Sequence, residues 1–189
     1  MSDAGYRKDW LLLAALGIIL IAVKAWLVRA AGVDLHYDEA QYWEWSRQLD
    51  WSYYSKGPLI AWLIALSEAL FGHGTWQVRL PAWLAHDALL FLIFAFARDV
   101  WGTRSAAWWA VIITLFTPMY FTLGLVMTTD IWLFLCWTAG LWMIYRALIK
   151  ERSGAWYLAG IAIGIGTLTK LSIGLLPAAA DTIVSMGKR

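Results

Sequence analysis

Apolar residues fall along this chain in long blocks rather than in the spaced stripes of a soluble helical domain. Four blocks, residues 10–31, 80–100, 105–125 and 131–149, are about twenty residues long, enough for a helix rising about 1.5 Å per residue to cross roughly 30 Å of hydrocarbon. Two more, 155–168 and 171–186, are shorter and need tilt, local thinning or neighbouring protein to span. The pattern predicts an all-α polytopic transmembrane bundle of about six spans. It forms a single domain over residues 1–189, with an outer loop, 32–79, that carries interfacial helices.

A further apolar block, residues 58–71, is placed by charge. If it does not span, nine cations gather on the cytoplasmic side: Arg7, Lys8, Arg98, Arg104, Arg146, Lys150, Arg152, Lys188 and Arg189. Arg29, Arg47, Lys56, Arg79 and Lys170 then lie outside and Lys24 within the first span. If it spans, everything after it inverts and ten cations face outward, against the positive-inside rule. Glu68 argues the same way, because a carboxylate in mid-span costs roughly 2.5–3.5 kcal/mol. Residues 58–71 are therefore expected to lie along the outer face or to dip in and out, with the N-terminus cytoplasmic.

Within the outer loop, Asp38, Tyr42, Trp45 and Leu49 recur on one side of a helix whose other side carries Gln41, Glu44 and Gln48. This predicts a short amphipathic helix at the interface, with the rings of Tyr42, Trp43, Trp45 and Trp51 at headgroup depth.

Composition agrees with the blocks. The chain is 61% hydrophobic and 15% charged, against about 25% charged in an ordinary soluble domain. A net charge of +2 gives no basic excess of the kind that binds nucleic acid. Cys136 is alone, which excludes an intrachain disulfide and a cysteine zinc site, and no Asn is present to form a glycosylation sequon. Arg7 and Lys8 precede the first apolar block as in a signal peptide. Lys24 and Arg29 follow it where small residues would mark cleavage, so an uncleaved anchor is expected.

On this topology Asp38, Glu39 and Asp130 reach the same outer face from different connections. Each has an ordinary reading as a helix cap: Asp38 with Gln41 at the interfacial helix, Asp130 or Thr129 at the fourth span. The outer cations Lys56, Arg79 and Lys170 need a further reason for being there. Lys56 and Arg79 stand at turn-like starts of apolar helices, before Gly57-Pro58 and Leu80-Pro81, and Lys170 lies between two short spans. Arg29 and Arg47 can snorkel to headgroups. For the other three, a bound phosphate at the membrane surface explains the placement. Acids beside phosphate-binding cations suggest group transfer from a phosphorylated lipid to a hydroxyl or amine, a carboxylate accepting the proton while cations stabilise the departing phosphate. Nucleotide-linked donors fit worse, since neither a D-x-D pair nor a P-loop nor a G-x-G-x-x-G unit occurs.

In order along the chain come His36-Tyr37-Asp38-Glu39-Ala40-Gln41-Tyr42, Tyr53-Tyr54-Ser55-Lys56-Gly57-Pro58-Leu59, Val78-Arg79-Leu80-Pro81, Met127-Thr128-Thr129-Asp130 and Leu168-Thr169-Lys170. This series resembles the GT-C glycosyltransferases of the dolichyl-phosphate-mannose protein mannosyltransferase superfamily, nearest to the bacterial aminoarabinose and galacturonic acid transferases. The resemblance covers roughly residues 34–177. It implies a GT-C-like fold and an inverting transferase that takes a sugar from a polyprenyl-phosphate donor on the periplasmic or lumenal side of a cell membrane. The acceptor would be a lipid, a glycan or a protein. By motif, it makes Asp38 the general base or acceptor-orienting acid with Glu39 in support, Asp130 a second acid of the site, and Lys56, Arg79 and Lys170 contacts to the lipid phosphate. No cofactor and no metal ligand set is expected, and divalent metal dependence is left open. Two departures stand out. Gly57 replaces the first proline of the family's Lys-Pro-Pro, and Leu171-Ser172 follow Lys170 where Gly-Pro is common. Such enzymes also run to several hundred residues, so the chain reads as an N-terminal portion, incomplete at its C-terminus.

Three features stand apart. His86-Asp87 inside the second span would carry coupling in a transporter or flippase-like protein, the alternative to an enzyme beside a non-catalytic fragment. Gly160-x-x-x-Gly164 is a close-packing motif of membrane helices. Asp181, His36 and His73 have no assignable partner or ligand spacing.

Overall fold

The computed structural model describes residues 3–54 and 56–176. In chain order it contains α1 (Asp3–Ala31), α2 (Tyr37–Ser46), α3 (Leu59–Phe71), α4 (Thr75–Trp101), α5 (Arg104–Leu115), α6 (Pro118–Leu123), α7 (Thr129–Leu148), α8 (Ala155–Thr167) and a 3-10 turn at Leu171–Leu175. No strand occurs among the described residues, as the blocks of apolar residues predict. Three stretches, Arg7–Ala31, Thr75–Trp101 and Thr129–Leu148, are long and apolar enough to cross a membrane. The chain is a membrane protein.

The long helix α4 is the hub, packing against α1, α3, α5 and α7, while α8 lies along α7. Trp83, Leu90 and Phe94 of α4 are fully buried with Leu13 of α1, Ile60 and Ile64 of α3, Met127 just before α7 and Ile131 in its first turn. A second cluster joins Cys136 and Ile144 of α7 to Ala159 of α8 and to Ile173 and Leu176. Leu11, Ile18, Ile19 and Trp26 of α1 face outward, as hydrocarbon-facing positions of a membrane helix do.

Proline shapes two places. Pro81 lies inside α4, so Arg79 stands in a continuous helix and not at a turn-like start. Pro81 has no N–H to offer the carbonyl four residues back, that of Gln77. Ser67 of α3 donates its hydroxyl to that oxygen at 2.7 Å, so the break in the ladder becomes a tie between helices. At Thr117-Pro118 the block 105–125, expected as one span, divides into α5 and the short α6, with Pro118 at the first position of α6. The twelve residues of α5 reach only about 18 Å.

The block 58–71 forms α3, thirteen residues and about 20 Å long, packed on α2 and α4. Glu68 is buried there without facing lipid. It accepts from Trp43 Nε1 of α2 at 3.1 Å, and His73 Nδ1 lies 3.2 Å away. The cap assignments also differ from expectation. His36 caps α2, with Glu39 in the capping box, and Thr128 stands at the start of α7 without a side-chain cap. The buried face of α2 is Glu39, Tyr42 and Ser46, so Tyr42 belongs to the core and not to a headgroup belt, whereas Trp51 is exposed. Gly160 and Gly164 meet nothing among the described residues; α8 packs on α7 through Ala155 and Ala159. Most of the predicted span 171–186, with Asp181, lies outside the described residues.

Candidate active site

One end of the bundle gathers α2, the 51–58 loop, the start of α4, the start of α7 and the segment after α8. The capping box turns Glu39 inward, where it is 1% exposed. Its carboxylate accepts from Arg79 Nε and Nη2 at 2.8 Å each and from the backbone N–H of Met127 at 2.8 Å and His36 at 2.9 Å. Arg79 in turn donates to the carbonyls of Asp34 at 2.9 Å and Val33 at 3.4 Å. A bidentate guanidinium with its remaining donors on backbone carbonyls, 3% exposed, is sealed from a phosphate at the surface. The contact expected between Arg79 and phosphate is therefore absent from this arrangement. The pair instead ties α2 to α4 and to the strap leading into α7.

Asp38, the residue before Glu39, points to the exposed side of α2. The Tyr42 phenol, one turn on, hydrogen-bonds Thr129 and feels the charges of both Asp38 and Asp130. Burial first, and then these two carboxylates, push its ionisation above the ordinary phenol value, partly offset by the bond to Thr129. The sequence places Tyr42 with the interfacial aromatics; its i+4 spacing from Asp38 was the available signal that it belongs with the acids.

Asp130 Oδ1 accepts from Lys170 Nζ at 2.9 Å, both side chains more than a third exposed. Lys170 lines a cleft of about 320 Å³ with Lys56, Tyr54, Trp51 and Leu171. Two backbone contacts build it: Gly57 N–H donates to Thr169 O at 3.4 Å and Leu59 N–H to Leu168 O at 3.1 Å. A Cβ at Gly57 would collide with the Leu168 carbonyl, so a proline at that position could not sit this close. The departure from Lys-Pro-Pro is thus the feature that seats the Lys56 loop on the Lys170 segment. Tyr53 holds the loop from its other side. It stacks on Trp45 with centroids 4.8 Å apart, and its hydroxyl contacts the carbonyls of Gln48 at 2.9 Å and Trp45 at 3.1 Å. Among the described residues, no three His, Cys, Asp or Glu side chains cluster as metal ligands would.

His86 and Asp87 meet a partner that the sequence left unassigned. Lys24 Nζ of α1 lies 2.9 Å from His86 Nδ1 and 3.4 Å from Asp87 Oδ1. His86 Nε2 faces the Tyr120 carbonyl at 3.2 Å, and the Tyr120 hydroxyl donates to the His86 carbonyl at 2.7 Å. A neutral imidazole with its proton on Nε2 satisfies both of the shorter ring contacts. The group lies about 12 Å along α4 from Arg79 and ties α1, α4 and α6 together.

A model of the family described as dolichyl-phosphate-mannose-protein mannosyltransferase matches residues 55–185. The chain belongs to that family. Among curated members, the lipid A galacturonosyltransferase RgtD of Rhizobium johnstonii is 33% identical over 165 residues, 86% of this chain and 34% of that protein. The undecaprenyl phosphate-alpha-4-amino-4-deoxy-L-arabinose arabinosyl transferase 2 of Proteus mirabilis is 30% identical over 163 residues, 78% of this chain and 29% of that protein. The chain thus spans about a third of the length of the relatives it matches. The crystal structure of ArnT from Cupriavidus metallidurans bound to undecaprenyl phosphate superposes with a TM-score of 0.71 at 24% identity, over 89% of this mannosyltransferase-family chain and 33% of ArnT. The helical arrangement is therefore that of a GT-C transferase.

Proposed function

We propose that this chain is the donor-binding portion of a membrane glycosyltransferase that moves a sugar from a polyprenyl phosphate to an acceptor, with inversion, at the periplasmic face. The observation that carries this reading is the cleft shared by Lys56 and Lys170, beside Asp130 and Tyr42 and rimmed by exposed Tyr54, Trp51 and Leu171. Two ammonium groups suit a phosphate, and the apolar rim suits the prenyl chain that follows it. The names of the relatives favour a lipid acceptor, lipid A among them.

In the proposed reaction the acceptor oxygen attacks the anomeric carbon as the bond from that carbon to the phosphate oxygen breaks. The acceptor proton passes to Asp38, and polyprenyl phosphate leaves with its charge held by Lys56 and Lys170. Asp130 holds Lys170 in the free site and exchanges it with the donor phosphate. Glu39 and Arg79 act as positioning residues, fixing α2, and with it Asp38, against α4 and the Met127 strap. The cation distribution supports an outward position for this face and a cytoplasmic N-terminus.

The test is transfer of labelled sugar from polyprenyl-phosphate donors in membranes bearing the longest natural form of the chain, beside Asp38→Asn at matched expression. Loss by roughly 10²–10⁴-fold is the size expected of a general base. Equal transfer by both forms removes the assignment of Asp38, and no transfer from any donor removes the donor class.

A further inference from the structure

We propose that His86 is a positioning residue for the transfer site: from within the bundle it sets, through Tyr120 and Gly124, the strap 124–128 and so the place where Asp130 meets Lys170. That pair has the role given to it in the reading of the transfer site, on which this inference rests. The strap leads from α6 into α7, and its two ends are held differently. At the α7 end the Met127 N–H donates to Glu39 at 2.8 Å, and Thr129 and Asp130 follow in the first turn of the helix. At the α6 end the support comes from His86.

α6 has little else to hold it. It is six residues long, too short to be stable alone, and Tyr120 is the one of the six that is buried. Met119 and Phe121 on either side are more than half exposed. The Tyr120 ring stacks on the His86 ring with centroids 3.8 Å apart, its hydroxyl donates to the His86 carbonyl at 2.7 Å, and its own carbonyl faces His86 Nε2 at 3.2 Å. One turn on, Gly124 closes the helix directly against the imidazole, where a Cβ would collide with Cδ2 and Nε2. One ring thus fixes both the last turn of α6 and the first residue of the strap.

The ring is itself fixed. Lys24 Nζ, 2.9 Å away, can only donate, so Nδ1 accepts and the ring proton sits on Nε2, facing the Tyr120 carbonyl. Asp87 Oδ1 balances the lysine at 3.4 Å, and all three side chains belong to residues no more than 6% exposed. Ionisable groups are costly inside a membrane, and apolar packing of the same volume would hold α6 as tightly. What apolar packing lacks is direction. Two hydrogen bonds and a stack set the rotation and height of α6, which hydrocarbon contacts leave free to slide.

The experiment uses the longest natural form of the chain in neutral detergent, treated with a carbodiimide, which joins a carboxylate to an amine only where the two touch. The Asp130–Lys170 crosslink is counted by peptide mass spectrometry, and sugar transfer is measured on the same preparations. His86→Leu keeps an apolar filling but loses the donor; it should lower the crosslink about tenfold and transfer with it, since small misplacements cost that much or more. His86→Gln, whose amide offers a donor to Tyr120 and an acceptor to Lys24, should keep both near wild type. Should His86→Leu lose its helical circular dichroism, Gly124→Ala takes its place. Its methyl meets the His86 ring, so the crosslink should fall likewise, and adding His86→Gln, whose end can give way, should restore it. A crosslink absent from the wild type, unchanged in the folded variant, or lost equally with Leu and Gln, as a proton-coupling role requires, overturns the proposal. A wild-type crosslink without transfer from any donor overturns the transfer reading alone, because the crosslink reports the strap directly.

Discussion

Glu39–Arg79 and Asp130–Lys170 are both carboxylate–cation pairs at one end of the same bundle, and their surroundings set them apart. The first is buried, bidentate, and bonded further to the backbone of two connecting segments, the α1–α2 loop and the strap before α7. The second makes one hydrogen bond at 2.9 Å and stays more than a third exposed beside an open cleft. A saturated pair cannot receive a ligand without breaking the scaffold. A half-exposed pair can exchange one partner for a phosphate at small cost.

That contrast is broken most forcefully at Glu39. Glu39→Gln leaves Arg79 charged and unmatched in the interior, and breaking a buried pair this way costs about 3–5 kcal/mol. The expected result is a large fall in the thermal unfolding midpoint in detergent. A wild-type midpoint with donor binding lost would place Glu39 and Arg79 in the site itself. Gly57→Ala comes next. Its methyl meets the Leu168 carbonyl, and overpacking of this kind costs about 1–3 kcal/mol. Spreading of the Lys56 loop from Lys170 should weaken capture of polyprenyl phosphate, measured by equilibrium binding, while helicity stays.

Lys170→Gln sharpens the comparison from the other side. A pair this exposed contributes about 0.2–1 kcal/mol, so the unfolding midpoint should hardly move while the affinity for polyprenyl phosphate falls. A large loss of stability with unchanged affinity would make Asp130–Lys170 another scaffold pair.

Tyr42→Phe is the mildest change. The raised ionisation of Tyr42 means the folded state keeps the phenol proton more firmly than the unfolded chain does. The stabilisation linked to it is therefore fully present below the ordinary phenol value of about 10 and is lost as pH rises through the higher folded value. Tyr42→Phe should flatten this alkaline loss in unfolding midpoints taken across that range. An unchanged slope would detach Tyr42 from the two carboxylates.

Much of the fold is legible in the chain. The blocks at 10–31, 80–100 and 131–149 correspond to the long helices α1, α4 and α7, because length and apolarity act residue by residue. The break at Thr117-Pro118 was also written locally and was outweighed by the apolar run around it. Lys56 and Lys170 were legible in the charge count as cations set apart from the larger cationic cluster. Arg79 carried the same signal for a different reason, since the charge it answers is the buried Glu39.

Spacing and composition thus determine that this is a helical membrane protein with acids and cations at one end, since both follow from local solvation: apolar runs leave water and charges avoid lipid. Which acid meets which cation is a property of the tertiary structure. Glu39 reaches Arg79 and Met127, Lys24 reaches His86, and Gly57 reaches Leu168 across sequence separations that no local pattern encodes. Only the packed helices set the burial that turns one pair into scaffold and leaves the other open to a ligand.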